Sequence, residues 1–201
     1  MSLQHPARKL RELLARPQML VAPGAYDCIT ARMIEQSGFD AVYMTGAGTA
    51  ATLGFPDYGL TTMTEMAANA GRIADAVGVP VFADADTGFG NELNMTRTVR
   101  EYERRGVAGM HIEDQAFPKK CGHLENKTVI DRDAFVNKIR AAAGARESKD
   151  FLIIARTDCR ASLGLDEAIA RVNAALEAGA DMAFVEAAQN LDEVAAIPRR
   201  V

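Results

Sequence analysis

The sequence predicts an α/β protein built on a parallel sheet, and three observations carry that prediction. Six short β-rich runs are apolar almost throughout: Met19–Ala22, Ala41–Thr45, Pro80–Ala83, Gly109–Ile112, Phe151–Ala155 and Met182–Val185. Strands read this way when both their faces are covered. Helical periodicity fills the intervals, and the runs recur about every 33 residues. Strict β–α alternation requires parallel strands joined by helical crossovers.

Taken in order, residues 1–17 are Arg-rich and amphipathic, and Glu12 and Pro17 fit a short leading helix. The clearest later helix is Leu165–Ala178, with Leu165, Ile169, Val172 and Leu176 on one face. Another is Asp131–Ala143, opened by Asp131 as its capping candidate. Gly38, Gly78, Gly106 and Gly179 each stand where a helix must end before the next strand. No composition break divides residues 1–201, so a single domain is expected. At this period an eight-unit barrel needs roughly 260 residues. The chain stops in the helix after the sixth run, so periodicity alone allows a six-stranded open sheet or a barrel lacking its last quarter.

Composition excludes several classes. Of 201 residues 48% are hydrophobic and 25% charged, with a net charge of −4, so a core is expected and a nucleic-acid footprint is not. No apolar run approaches the roughly 18 residues of a membrane span, and the start lacks a secretory signal. Three cysteines, an odd count without paired spacing, fit a reducing cytoplasmic compartment.

In parallel α/β folds the active site lies at the carboxyl ends of the strands. Here those ends carry Asp84 and Asp86, then Glu113 and Asp114, then Arg156 and Asp158, then Glu186. One acidic strand end is ordinarily a cap or a solvated loop; four charged ends in succession read as a site. Clustered carboxylates repel unless a cation sits among them. Asp84, Asp86 and Glu113 offer oxygen ligands only, which suits Mg²⁺, with Mn²⁺ as the variant, and not zinc. His5 belongs to the leading segment, and His111, inside a strand, is expected to point along it. The six lysines fall outside the expected strands, which disfavours an imine-forming aldolase. Thr45-Gly46-Ala47-Gly48-Thr49 reads as a loop able to present N–H groups to an anion, without the ending of a P-loop. Residues 115–127 read as a lid, with Cys121 at its centre.

The runs Asp84-Ala85-Asp86-Thr87-Gly88-Phe89-Gly90, His111-Ile112-Glu113-Asp114-Gln115 and Lys119-Lys120-Cys121-Gly122-His123 together resemble the isocitrate lyase / phosphoenolpyruvate mutase superfamily. The similar branch is the short-chain one that includes 2-methylisocitrate lyase and 2,3-dimethylmalate lyase. Ala155-Arg156-Thr157-Asp158 and Phe184-Val185-Glu186-Ala187 match as well. The resemblance implies a (β/α)8 barrel of which this chain holds about six units, and a homo-oligomer, dimer or tetramer, of the whole protein. It implies Asp84 as the direct Mg²⁺ ligand, with Asp86 and Glu113 acting through water, and Asp57 as a nearby site aspartate. Thr45, Gly46 and Ala47 would bind an α-keto acid carboxylate, although serine and an extra glycine are commoner there. Lys119, Gly122, His123, Arg156 and Glu186 would bind substrate, and Cys121 would be the catalytic acid.

The implied reaction is retro-aldol cleavage of a 2-hydroxy di- or tricarboxylic acid, giving an α-keto acid and a carboxylic acid. Arg156 would stabilise the developing charge, and the Cys121 thiol would protonate the carbanion. Glu113, Asp57 and a metal-bound hydroxide all stay open as the base. The alternatives on the same site are a phosphoenolpyruvate or carboxyphosphonoenolpyruvate phosphonomutase and an oxaloacetate decarboxylase. A non-catalytic fragment is the further alternative; the intact acidic rim and Cys121 speak against it.

Overall fold

The computed structural model describes residues 5–201, so the first four residues of the expected leading helix lie outside the described part. Helix α1 (Pro6–Leu14) begins on a proline, whose missing N–H is no loss in a first turn. Six βα units follow. They are β1 (Gly24–Ala25) and α2 (Cys28–Gln36); β2 (Val42–Met44) with α3 (Gly46–Thr52) and α4 (Met63–Ala76); and β3 (Val81–Asp84) and α5 (Glu92–Arg104). Next come β4 (Gly109–Glu113) and α6 (Arg132–Ala145); β5 (Leu152–Thr157) with α7 (Arg160–Leu163) and α8 (Leu165–Glu177); and β6 (Met182–Val185) and α9 (Leu191–Arg200).

All neighbouring strands pair in parallel, in the order β1-β2-β3-β4-β5-β6. A doubly wound sheet reverses its strand order at a switch point, whereas a barrel wall adds each strand at the same edge. The order seen is that of a barrel wall, six consecutive units of the (β/α)8 architecture.

The first strand is not Met19–Ala22. The ladder begins at Pro23, whose carbonyl accepts from the Tyr43 amide at 3.0 Å, and β1 is Gly24–Ala25. Leu20 and Ala22 are apolar for another reason: they pack with Leu10, Ala41, Ala108 and Leu152 to close the foot of the sheet under α1. At the other end β3, β4 and β5 run past their apolar stretches to include Asp84, Glu113, Arg156 and Thr157. The charged side chains are therefore fixed by ladder register, which sets Asp84 beside His111 and Glu113 beside Arg156.

Alternation sorts the side chains. Val42, Met44, Ala83, Met110, Ile112 and Ile153 face the helices, meeting Met66, Ile73, Val99, Phe135 and Ile139. Tyr43, Phe82, His111, Ile154 and Phe184 line the concave side. Gly38, Gly106 and Gly179 take the left-handed conformation their turns require, with φ of 89°, 76° and 111°. Gly78 does not; α4 ends in extended Val77, and the Gly78 amide is held by Glu35 Oε1 at 2.7 Å. Asp131 stands at the N-cap of α6 without a capping bond, whereas Asp27, Thr62 and Asn91 form reciprocal capping boxes on α2, α4 and α5. In α8, Ile169 and Val172 are buried and Leu165 and Leu176 half-buried.

Candidate active site

Strand parity decides which charges reach the rim. Glu113 is buried and directed to Arg156, with Oε2 3.5 Å from Nε. Asp114, one residue on, turns under the helices. It accepts from Thr157 Oγ1 at 2.6 Å, the Asp158 amide at 2.8 Å and Arg171 Nη1 at 3.0 Å. Asp114 therefore braces β4 against β5 and α8 and is not part of the expected acidic rim.

A pocket of about 210 Å³ is lined by Thr45, Ala47, Asp57, Asp84, Lys119 and Cys121. Gly122, His123, Arg156, Glu186, Tyr43 and Phe184 complete its lining. Gly46, Asp86 and Glu113 are buried against lining residues, namely Asp84, Lys119 and Arg156 in turn. Gly46 must be glycine because a Cβ would lie 2.8 Å from Asp84 Cγ. The Thr45–Thr49 segment is no loop: Thr45 caps α3, its Oγ1 accepting from the Gly48 amide.

Asp84 accepts from the Asp86 amide at 2.8 Å and from the Tyr43 hydroxyl at 3.4 Å. Burial pushes its carboxyl up, but His111, Lys119 and Arg156 outweigh burial and hold it below the usual range. Asp86, in the left-handed region at φ 45°, is pushed up to about 7 by burial and then by the charge of Asp84, against the pull of Lys119. Burial also pushes Glu113 well above the usual range, with Arg156 opposing and Asp158 and Asp84 adding. A carboxyl raised in this way accepts a proton near neutrality more readily than an ordinary one.

His111 does not simply point along its strand. Its Nε2 lies 2.7 Å from the Tyr43 hydroxyl and 3.5 Å from Asp84 Oδ1, because residues 111 and 113 share the inward face of β4. Burial lowers its proton affinity, and Nδ1 is a buried atom with no partner. An unpaired acceptor is the cheaper orphan, so Nε2 carries the hydrogen and donates to Tyr43, whose own hydroxyl donates to Asp84.

Lysine does reach the site, from a loop and not from a strand. Lys119 Nζ lies 2.5 Å from Asp57 Oδ1 and 2.7 Å from Asp86 Oδ1. The carboxylates around it raise its proton affinity above the ordinary value despite burial, so it is a cation and no imine-forming nucleophile. Arg156 pairs with Asp158 through Nε at 3.0 Å and Nη2 at 3.1 Å, and reaches Glu186 Oε2 at 3.2 Å. The segment 115–127 crosses the pocket mouth. The Gln115 side chain clasps both backbone groups of Lys120, and the Cys121 amide donates to Asp57 O at 3.0 Å. Cys121 is half-buried, its Sγ 3.9 Å from His123 Nδ1, while the His123 side chain is largely exposed.

Tyr43, Gln115 and Lys127 are site residues that sequence reasoning passes over. Tyr43 left a trace, as a polar-tipped residue inside an apolar parallel strand. Lys127 left none, since its burial depends on Asp158.

Among the described residues no three His, Cys, Asp or Glu side chains already form a metal-ready cluster. The donor chemistry nevertheless fits a hard divalent cation. Asp57, Asp84, Asp86, Glu113, Asp158 and Glu186 outnumber Lys119, Lys127 and Arg156. Buried Asp86 Oδ1 also has no hydrogen-bond partner, because the Lys119 ammonium lies close to it but off the hydrogen-bonding direction.

Comparison with known proteins defines the class. The phosphoenolpyruvate phosphomutase family model matches residues 10–201. A 2,3-dimethylmalate lyase of Eubacterium barkeri is 54% identical over 189 residues, 94% of this chain and 65% of the relative. A 2-methylisocitrate lyase of Aeropyrum pernix is 47% identical over 199 residues, 99% of this chain and 64% of the relative. Among solved structures, oxaloacetate acetylhydrolase with 3,3-difluorooxalacetate superposes with a TM-score of 0.95 at 43% identity, covering 98% of this chain and 68% of that one. Phosphonopyruvate hydrolase with oxalate and Mg²⁺ gives 0.89 at 33% identity, covering 98% and 68%. The chain belongs to the phosphoenolpyruvate phosphomutase family. It spans about 65% of the length of the relatives named here. No helix among the described residues is long and apolar enough to cross a membrane.

Proposed function

We propose that the protein is a Mg²⁺-dependent carbon–carbon lyase that cleaves a 2-hydroxy di- or tricarboxylic acid of the 2-methylisocitrate or 2,3-dimethylmalate type. The products are an α-keto acid and a carboxylic acid. The observation that carries this reading is the placement of Cys121, held by Asp57 O at the mouth of the pocket that Arg156, Glu186 and Asp84 also line.

Asp84 would hold the Mg²⁺ ion, with Asp86 and Glu113 completing an oxygen shell. When bound, the ion polarises the 2-oxygen and carboxylate of the substrate. The chain supplies the rest. Thr45 to Ala47, at the start of α3, bind the carboxylate of the α-keto half; Arg156, fixed by Asp158, faces the charge that develops on cleavage. Lys119, Gly122, His123 and Glu186 enclose the remainder of the substrate. Asp57 and Glu113 would be the side-chain candidates to take the hydroxyl proton. Cys121 gives its thiol proton to the departing carbanion; an ordinary thiol with pKa about 8.5 is mostly protonated at pH 7. The lid 115–127 keeps water from that carbanion. The whole protein works as a homo-oligomer, dimer or tetramer, in the cytoplasm.

The similarity to oxaloacetate acetylhydrolase supports a second reading, hydrolytic C–C cleavage of oxaloacetate. One screen separates the two: α-keto acid release from 2-methylisocitrate and 2,3-dimethylmalate, and acetate release from oxaloacetate, each with Mg²⁺ and with excess chelator. Chelator-sensitive turnover of a 2-hydroxy acid is the expected result. Turnover of oxaloacetate alone favours the hydrolase.

A further inference from the structure

Lys127 closes the lid segment, far along the chain from the strands, yet its ammonium is buried. It has two partners. One is the carbonyl oxygen of Gly122, in the middle of the lid; the other is Asp158 Oδ1, at 3.0 Å. Asp158 is fully buried and is the carboxylate that grips Arg156 through both of its oxygens. Lys127 is thus bonded both to the backbone beside Cys121 and to the group that aims the site arginine.

The charges give this arrangement a consequence. Arg156 Nη2 stands between Asp158 Oδ1 at 3.1 Å and Glu186 Oε2 at 3.2 Å. With Lys127 sharing Asp158 Oδ1, that oxygen divides its charge between two cations, and Nη2 stays poised toward Glu186 and the pocket. If the lid lifted and carried Lys127 away, Asp158 would hold a single cation, and the bond it already makes to Nη2 would strengthen at the expense of the one to Glu186. A buried ammonium is costly unless its partners repay desolvation, so Lys127 favours the state in which Gly122 O and Asp158 are both in reach.

We infer that Lys127 is a positioning residue that couples closure of the 115–127 lid to the aim of Arg156. The kinetic part of its test rests on the proposed lyase reading; the labelling part does not. In the intact protein K127M is compared with wild type by three measurements: iodoacetamide alkylation of Cys121 followed on its peptide with Cys28 as internal reference, Mg²⁺ affinity by calorimetry, and kcat for 2-hydroxy acid cleavage. Alkylation should be at least about tenfold faster, because the lid opens more often. The kcat should fall at least about tenfold through misplacement of Arg156. Mg²⁺ affinity should stay within about twofold, since neither partner of Lys127 is one of the carboxylates proposed for the metal, Asp84, Asp86 and Glu113. Wild-type labelling in a variant with a native melt overturns the inference, whatever its activity. Joint loss of Mg²⁺ affinity and kcat marks a merely structural lysine and also overturns it. If wild type shows no turnover, the lyase reading fails and labelling decides alone. Should K127M lose its cooperative melt, K127Q takes its place under the same criteria.

Discussion

The Lys119 ammonium lies 2.7 Å from Asp86 Oδ1, so a protein cation already stands among the carboxylates proposed to hold Mg²⁺. It does not neutralise them. Asp86 is still pushed up to about 7, by burial first and by Asp84 second. A proton therefore competes with the metal for this carboxylate below that pH. Mg²⁺ affinity should rise by roughly tenfold between pH 6 and pH 8, then level off. The raised carboxyl also stabilises the metal-free fold at low pH, a contribution lost as pH rises through about 7. Calorimetric titration at the two pH values checks the first expectation, and chelator-treated melts check the second. In D86N both dependences should weaken, with the raised Glu113 carboxyl remaining.

Gly122 packs against Arg156 and Glu186 with no room for a side chain; a Cβ there would lie 3.0 Å from Glu186 Cγ and closer still to Arg156 Nη2. G122A should lift the lid or displace the guanidinium. A displacement of this size costs on the order of 10²-fold in kcat/KM. The melt should change little, because Gly122 sits in the lid segment, outside the hydrophobic core clusters. Wild-type kcat/KM in G122A would show that the lid does not close on Arg156 as seen.

Neighbouring Glu113 and Asp114 should fail in opposite ways. D114A takes from buried Arg171 one of its partners, leaving Glu167 and the Ile130 carbonyl, and strips Thr157 and the Asp158 amide of their acceptor, so stability should fall by about 2–4 kcal/mol. E113Q keeps its shape beside Arg156 and should retain stability within about 1 kcal/mol while losing turnover. Urea unfolding paired with the cleavage assay reads both. An active, destabilised E113Q with an inactive, stable D114A would reverse the parity assigned to β4.

Much of this was legible in the residues. The apolar runs marked five of the six strands, and glycine marked Gly38, Gly106 and Gly179 as turns, because each of these signals is local. Strand one was misplaced because Leu20 and Ala22 are apolar to cover the foot of the sheet, and a composition signal does not say what covers what. Asp114 looked like its neighbour because charge was legible and parity at a strand end was not. His111 is misread and Lys127 passed over for a third reason. Their roles arise from Tyr43 and Asp158, which are distant in sequence and adjacent only after folding.

The most direct test of the account is the C121S substitution in the intact protein. Carbon–carbon cleavage leaves a carbanion that must be protonated, whereas moving phosphorus between oxygen and carbon requires no such proton. Serine nearly preserves shape and removes the acid of pKa about 8.5. The account predicts that 2-hydroxy acid cleavage falls by about 10²–10⁴-fold, while Mg²⁺ and α-keto acid binding survive on Asp84, Thr45 to Ala47 and Arg156. Cleavage at a near wild-type rate in C121S would contradict it.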